Sequence, residues 1–114
     1  MADLEELRRL SRLIDKGLEA LRDQATEFAR CEQEYRQAKA TAWIEAPEGT
    51  VDAKKAWVEG RTSDARYARD LADGLRQAAL EAVRSRRGQL SAWQSWMAAE
   101  RAEAEFARTG GDHA

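Results

Sequence analysis

The residues best equipped for chemistry are cationic and aromatic. Arg84-Ser85-Arg86-Arg87 is the densest basic cluster of the chain, and Arg61, Arg66, Arg69 and Arg76 precede it. Lys54 and Lys55 add charge just after a Pro47-Glu48-Gly49 stretch, and Lys39 lies just before it. Arginine suits phosphate because its planar fork donates two parallel hydrogen bonds. The four tryptophans keep company with these cations: Trp43 and Trp57 flank the proline stretch, and Trp93 and Trp96 follow the arginine cluster. Cations that track a backbone, beside rings that stack on bases, are the composition of a single-stranded nucleic-acid grip. The expected contact set is therefore Lys39, Lys54, Lys55, Arg61, Arg76, Arg84, Arg86 and Arg87. The plainer alternative is that the arginines pair with Glu81 or with acidic residues of a neighbour.

Charge distribution supports a local basic surface. Residues 1–60 carry 10 Lys/Arg against 13 Asp/Glu, residues 61–87 carry 7 against 4, and residues 88–114 carry 2 against 4. The net charge of −2 thus hides a basic middle segment between acidic flanks. A pI near 5.5 opposes strong DNA binding by an isolated chain. A basic stripe repeated in every subunit of an assembly would add up locally.

Catalytic patterns are missing. The single histidine, His113, has no partner at metal-ligand spacing, and Cys31 has no Cys-x-x-Cys companion. No Gly-rich phosphate loop follows a strand, and the Glu-x-x-His signature of a carboxylate-bridged metal pair is missing. The expectation is a protein that is not an enzyme and takes no cofactor. One cysteine allows no disulfide within the chain and suits a reducing cytoplasm. No secretory signal is expected from Met1-Ala2-Asp3-Leu4-Glu5-Glu6, and no apolar run approaches the ~20 residues that span a bilayer.

The elements that must position these residues are helices. The chain is rich in Ala, Leu, Glu, Arg and Gln, all strong helix formers. Its only proline, Pro47, cannot sit inside a helix, and Gly49 favours a turn. The fold class expected is all-α: a long helical hairpin, or coiled coil, over residues 1–108. It has a helix over 3–45, a turn over 46–50, a helix over 51–108 with a possible break near 60–63, where Thr62 or Ser63 could cap a fresh start, and a disordered tail over 109–114. Asp3, with Glu6 three residues on, reads as a capping box, and Thr50 reads as the N-cap of the second helix.

An apolar stripe at 3-4 spacing runs through Leu4, Leu7, Ile14, Leu18, Leu21, Ala25, Phe28, Tyr35 and Ala42, widened by Leu10 and Leu13 at the N-terminal end, with Ser11, Glu32 and Lys39 as polar seam positions. Those three either fix register or snorkel to solvent. The second helix's stripe includes Val51, Val58, Ala68, Leu71, Leu75, Val83, Leu90, Trp93 and Met97. Each helix would be about 65–85 Å long. A two-helix hairpin of that length leaves apolar surface in water, so a homo-oligomer is expected. Its interface is assigned to Leu71, Leu75, Leu90, Trp93, Trp96 and Met97. Trp43 and Trp57 are expected to pack on each other across the turn. Gly60, Gly74 and Gly88, spaced two heptads apart, suit close helix approach or are unrelated glycines.

The run Ala79-Leu80-Glu81-Ala82-Val83-Arg84-Ser85-Arg86, followed by Ala102-Glu103-Ala104-Glu105-Phe106, resembles the C-terminal part of UvsY, the recombination-mediator family of T-even phages. The first helix carries Lys39-Ala40-Thr41 where the family has a Lys-Ala-Arg-type motif. Lys39 matches a position implicated in single-strand binding, and Thr41 stands in place of the arginine. The resemblance covers about residues 30–106. It implies a ring-like homo-oligomer that binds single-stranded DNA and loads a RecA-type recombinase against single-strand-binding protein, without catalysis and without a membrane. The competing expectation is a structural or adaptor coiled coil with no DNA affinity. A Trp-x-Gly secreted hairpin fits poorly, because Trp57-Val58-Glu59-Gly60 has the wrong spacing and lies outside the turn.

Overall fold

The computed structural model describes residues 2–110. They form three helices: α1 over Ala2–Glu45, α2 over Val51–Arg61 and α3 over Ser63–Gly110. The fold is all-α, a long helical hairpin turning at residues 46–50. The final helix runs two residues past the expected end at 108, and His113 lies outside the described residues.

Local signals account for the boundaries. The Thr50 hydroxyl accepts a hydrogen bond from the Ala53 amide at 3.1 Å, and the Thr50 carbonyl accepts one from Lys54 at 3.0 Å. With Asp52 in the first turn, α2 starts with one of its orphan amides satisfied and its dipole complemented. Replacing Thr50 with Ala is expected to cost about 1 kcal/mol, read as a lower midpoint in a denaturant titration followed by circular dichroism. The expected cap at Asp3 is corrected: α1 already includes Asp3, and Glu6 reaches forward to Arg9 rather than back to the start.

The break falls at Thr62, and its hydroxyl does not cap α3. It donates to the Val58 carbonyl at 2.7 Å, and the Thr62 amide donates to the same carbonyl at 3.0 Å. Thr62 is buried. It therefore closes the end of α2, while its own carbonyl accepts from the Arg66 amide to begin α3.

The chain divides into two compact units, residues 18–80 and residues 2–17 with 81–110. In the first, α1 contributes Leu21, Gln24, Phe28, Cys31, Tyr35, Ala38 and Ala42 to the seam of the hairpin; Val58, Thr62, Ala65, Arg69, Ala72, Arg76 and Ala79 face them. In the second, Leu7, Leu10, Ile14 and Gly17 meet Val83, Leu90, Trp93 and Met97. With half-buried Arg86 filling the place between Val83 and Leu90, every step along these rows is three or four residues, the spacing of a heptad seam.

The seam of α1 differs from the expected one by a single row. Leu7, Ile14, Leu21, Phe28, Tyr35 and Ala42 hold. The alternating partners are Leu10, one of the two residues expected to widen the stripe, then Gly17, Gln24, Cys31 and Ala38, in place of Ser11, Leu18, Ala25, Glu32 and Lys39. Ser11, Ala25 and Lys39 are exposed, and Leu4 is 48% exposed. The reason is reciprocal fit. The opposite helix brings bulky groups to the seam: Arg76 lies 5.0 Å from the Phe28 ring centre and Arg69 lies 4.4 Å from that of Tyr35. A row of Gly, Gln, Cys and Ala makes room for such groups. At Gly17 the fit is tightest, since a β-carbon built there would lie 3.0 Å from the Val83 Cγ2.

Candidate nucleic-acid interface

At the turn end of the unit over residues 18–80, the last turns of α1 face α2 and the start of α3 across an open cleft of about 390 Å³. Its cations are Lys39, Lys55 and Arg66, and its rings are Tyr35 and Trp43. Val58 and Thr62, both buried, also line it, and Glu59 contributes one carboxylate. Lys39 projects its ammonium 5.9 Å from the Tyr35 ring centre. Trp43 is 37% exposed, so part of its ring is open to a ligand.

Helical spacing explains why these residues meet. Tyr35, Lys39 and Trp43 are four apart and share one face of α1. Lys55, Glu59, Thr62 and Arg66 follow at steps of four, three and four and share one face of α2 and α3. The α2–α3 joint at Thr62 leaves this register intact, because both of its backbone groups are hydrogen-bonded within the joint.

The cleft combines open cations with rings. Half of the arginines elsewhere are held by carboxylates of their own helix, among them Arg9 by Glu6, Arg30 by Glu27 and Glu34, Arg36 by Glu32, Arg84 by Glu81 and Arg108 by Glu105; Arg8, Arg12, Arg22, Arg86, Arg87 and Arg101 are in no ion pair among the described residues, but none of them lines the cleft. These pairs hold Glu6 and Glu27 below the usual carboxylate range, chiefly through the arginine hydrogen bond. Among the described residues, Lys39, Lys55 and Arg66 form no ion pair within 4.0 Å. Three unpaired cations beside two rings can hold a phosphate chain and stack one or two bases.

The other expected contact residues fall elsewhere. Lys54 is half-buried and does not line the cleft. Arg61 covers the Trp57 ring at 4.9 Å and reaches Glu45 at 3.7 Å. Arg76 sits in the hairpin seam, paired with Asp73 at 2.6 Å, and its Nε is buried without a partner. In the unit containing residues 81–110, Arg84 pairs with Glu81 at 3.1 Å, Arg86 is half-buried and Arg87 is exposed.

Trp43 and Trp57 do not stack on each other; the stacked pair among the described residues is Trp93 and Trp96, 5.0 Å between centres. Of the expected oligomer interface, Leu71, Leu75 and Trp96 are exposed at 51%, 48% and 46%, whereas Leu90, Trp93 and Met97 are half-buried in their own hairpin. Gly60, Gly74 and Gly88 have open space where a side chain would be, so they serve no close approach within the chain.

Tyr35 and Arg66 are the cleft residues that sequence reasoning left out of the contact set. Their four-residue spacing from Lys39 and from Thr62 was the available signal. Cys31 is buried in the seam, and burial pushes its thiol up, which disfavours the reactive thiolate. No group of His, Cys, Asp or Glu side chains able to hold a metal ion occurs among the described residues, and no described helix is long and apolar enough to cross a membrane. No family model matches the chain, and neither the curated proteins nor the solved structures provide a match.

Proposed function

We propose that the chain binds single-stranded DNA through the cleft at the turn and acts as a recombination mediator of the UvsY type. In that role an oligomer would hold the strand and help a RecA-type recombinase displace single-strand-binding protein, with no catalysis of its own. The observation that carries the binding is the set of three unpaired cations, Lys39, Lys55 and Arg66, around Tyr35 and Trp43. Lys39 is also the residue that the family resemblance marks for strand contact. The mediator role rests on that resemblance, and the oligomer on the apolar side chains left exposed on α3.

A second reading, a structural adaptor without DNA affinity, is favoured by the arginines that spend their charge on their own helices. Fluorescence polarisation with labelled oligo-dT separates the two. Binding at about 50 mM salt that falls steeply by about 300 mM supports the proposal. No binding at either salt leaves the adaptor. A filament assay on strands coated with single-strand-binding protein then tests mediation: recombinase loading should rise when the chain is added.

A further inference from the structure

We infer that the outer face of α3 is where a second copy of this chain docks, antiparallel, about a two-fold axis at Ser85. This deepens the oligomeric part of the reading above and stands without its nucleic-acid part. With Thr62 as heptad position a, positions a and d of α3 point into the hairpin. Positions c, f and g make a separate face. Across residues 67–102 that face has sixteen residues, all exposed, and Glu81 is its only charge. The remaining twenty residues of the stretch carry nine charges. In a chain that is 35% charged, a nearly uncharged solvent face over about five heptads marks a buried surface of the assembly.

Its pattern selects the occupant. An antiparallel two-fold centred on Ser85 maps the face onto itself, and it sets large groups against small ones. Trp96 meets the partner's Gly74, Leu75 meets the partner's Ser95 and Leu71 meets the partner's Ala99. Each pair recurs on the other side of the axis, as an isologous contact requires. The open space around Gly74 is then the hole for an indole. An acidic or basic partner would find no charge to complement. Sixteen residues approach the 20–30 per side of a standard interface.

Light scattering on the full chain, without DNA, tests this. Wild-type protein is expected at twice 12.8 kDa or an even multiple of it. Leu71→Glu with Leu75→Glu should bring the mass to 12.8 kDa at the same concentration, with the helical circular-dichroism signal unchanged. Ser85→Cys should form a disulfide-linked dimer under mild oxidation, and the off-face control Gln94→Cys should not. A wild-type monomer, or an assembly that the double variant leaves intact, would overturn the inference. Efficient cross-linking at position 94 but not at 85 would overturn the two-fold axis.

Discussion

Replacing Lys39, Lys55 and Arg66 together with alanine should lower affinity for oligo-dT by about two to three decades at about 50 mM salt. The estimate follows from counterion release, which contributes a slope of roughly −0.7 in log K against log salt for each single-strand phosphate neutralised. If each cation meets one phosphate, the triple variant loses about 2 units of slope. The slope is the sharper readout, because it counts contacts and is blind to a uniform loss of active protein. All three side chains are exposed, so the helical signal should persist. An equivalent variant of Arg84, Arg86 and Arg87 separates the cleft from the basic cluster. If that variant takes the larger share of slope, the strand runs along the C-terminal half of α3 instead.

The largest expected effect on stability is at Leu10. Its side chain is 3% exposed, and truncation to alanine should cost about 3 kcal/mol, from lost transfer energy and from the cavity left behind. For a chain of this size that is a fall in Tm of about 10–20 °C. Leu71→Ala is the matched control, since Leu71 is 51% exposed on the hairpin's outer face. It should change Tm little at concentrations where the chain is monomeric. Equal losses at the two sites would mean that the seam follows the row through the larger outer side chains. Gly17 makes the same point from the other side: a leucine there would drive into Val83, and the gain in helix propensity of about 1 kcal/mol over glycine would not offset the overpacking.

The hairpin was legible because its punctuation is local. One proline, one capping threonine and strong helix formers on both sides fix where the chain turns. The break near Thr62 was legible for the same reason, although its hydroxyl closes α2 rather than opening α3. The choice of seam was not legible. Both candidate rows of α1 share Leu7, Ile14, Leu21 and Phe28, and the eye follows Leu18 over Gly17 because it is larger. What decides is the opposite helix, where Arg69, Arg76 and Val83 need small neighbours, and that is a pairwise property of two segments far apart in sequence.

The site was half legible for a related reason. Residue type singled out Lys39 and Lys55, but it could not tell a cation already paired on its own helix from one left open. Arg76 and Arg84 look alike in the sequence; one lies over Phe28 in the seam and the other pairs with Glu81 at the surface. Arg66, which has no ion pair among the described residues, faces the same cleft as Tyr35 and Lys39. Only the packing of the turn brings those three together.

The most direct test of strand binding at the turn is ultraviolet cross-linking of the wild-type chain to oligo-dT, followed by mass spectrometry of the tryptic peptides. Adducts at Tyr35 or Trp43 are the expected result. Adducts confined to Trp93 or Trp96, or none under conditions where a known single-strand binder cross-links, would contradict it.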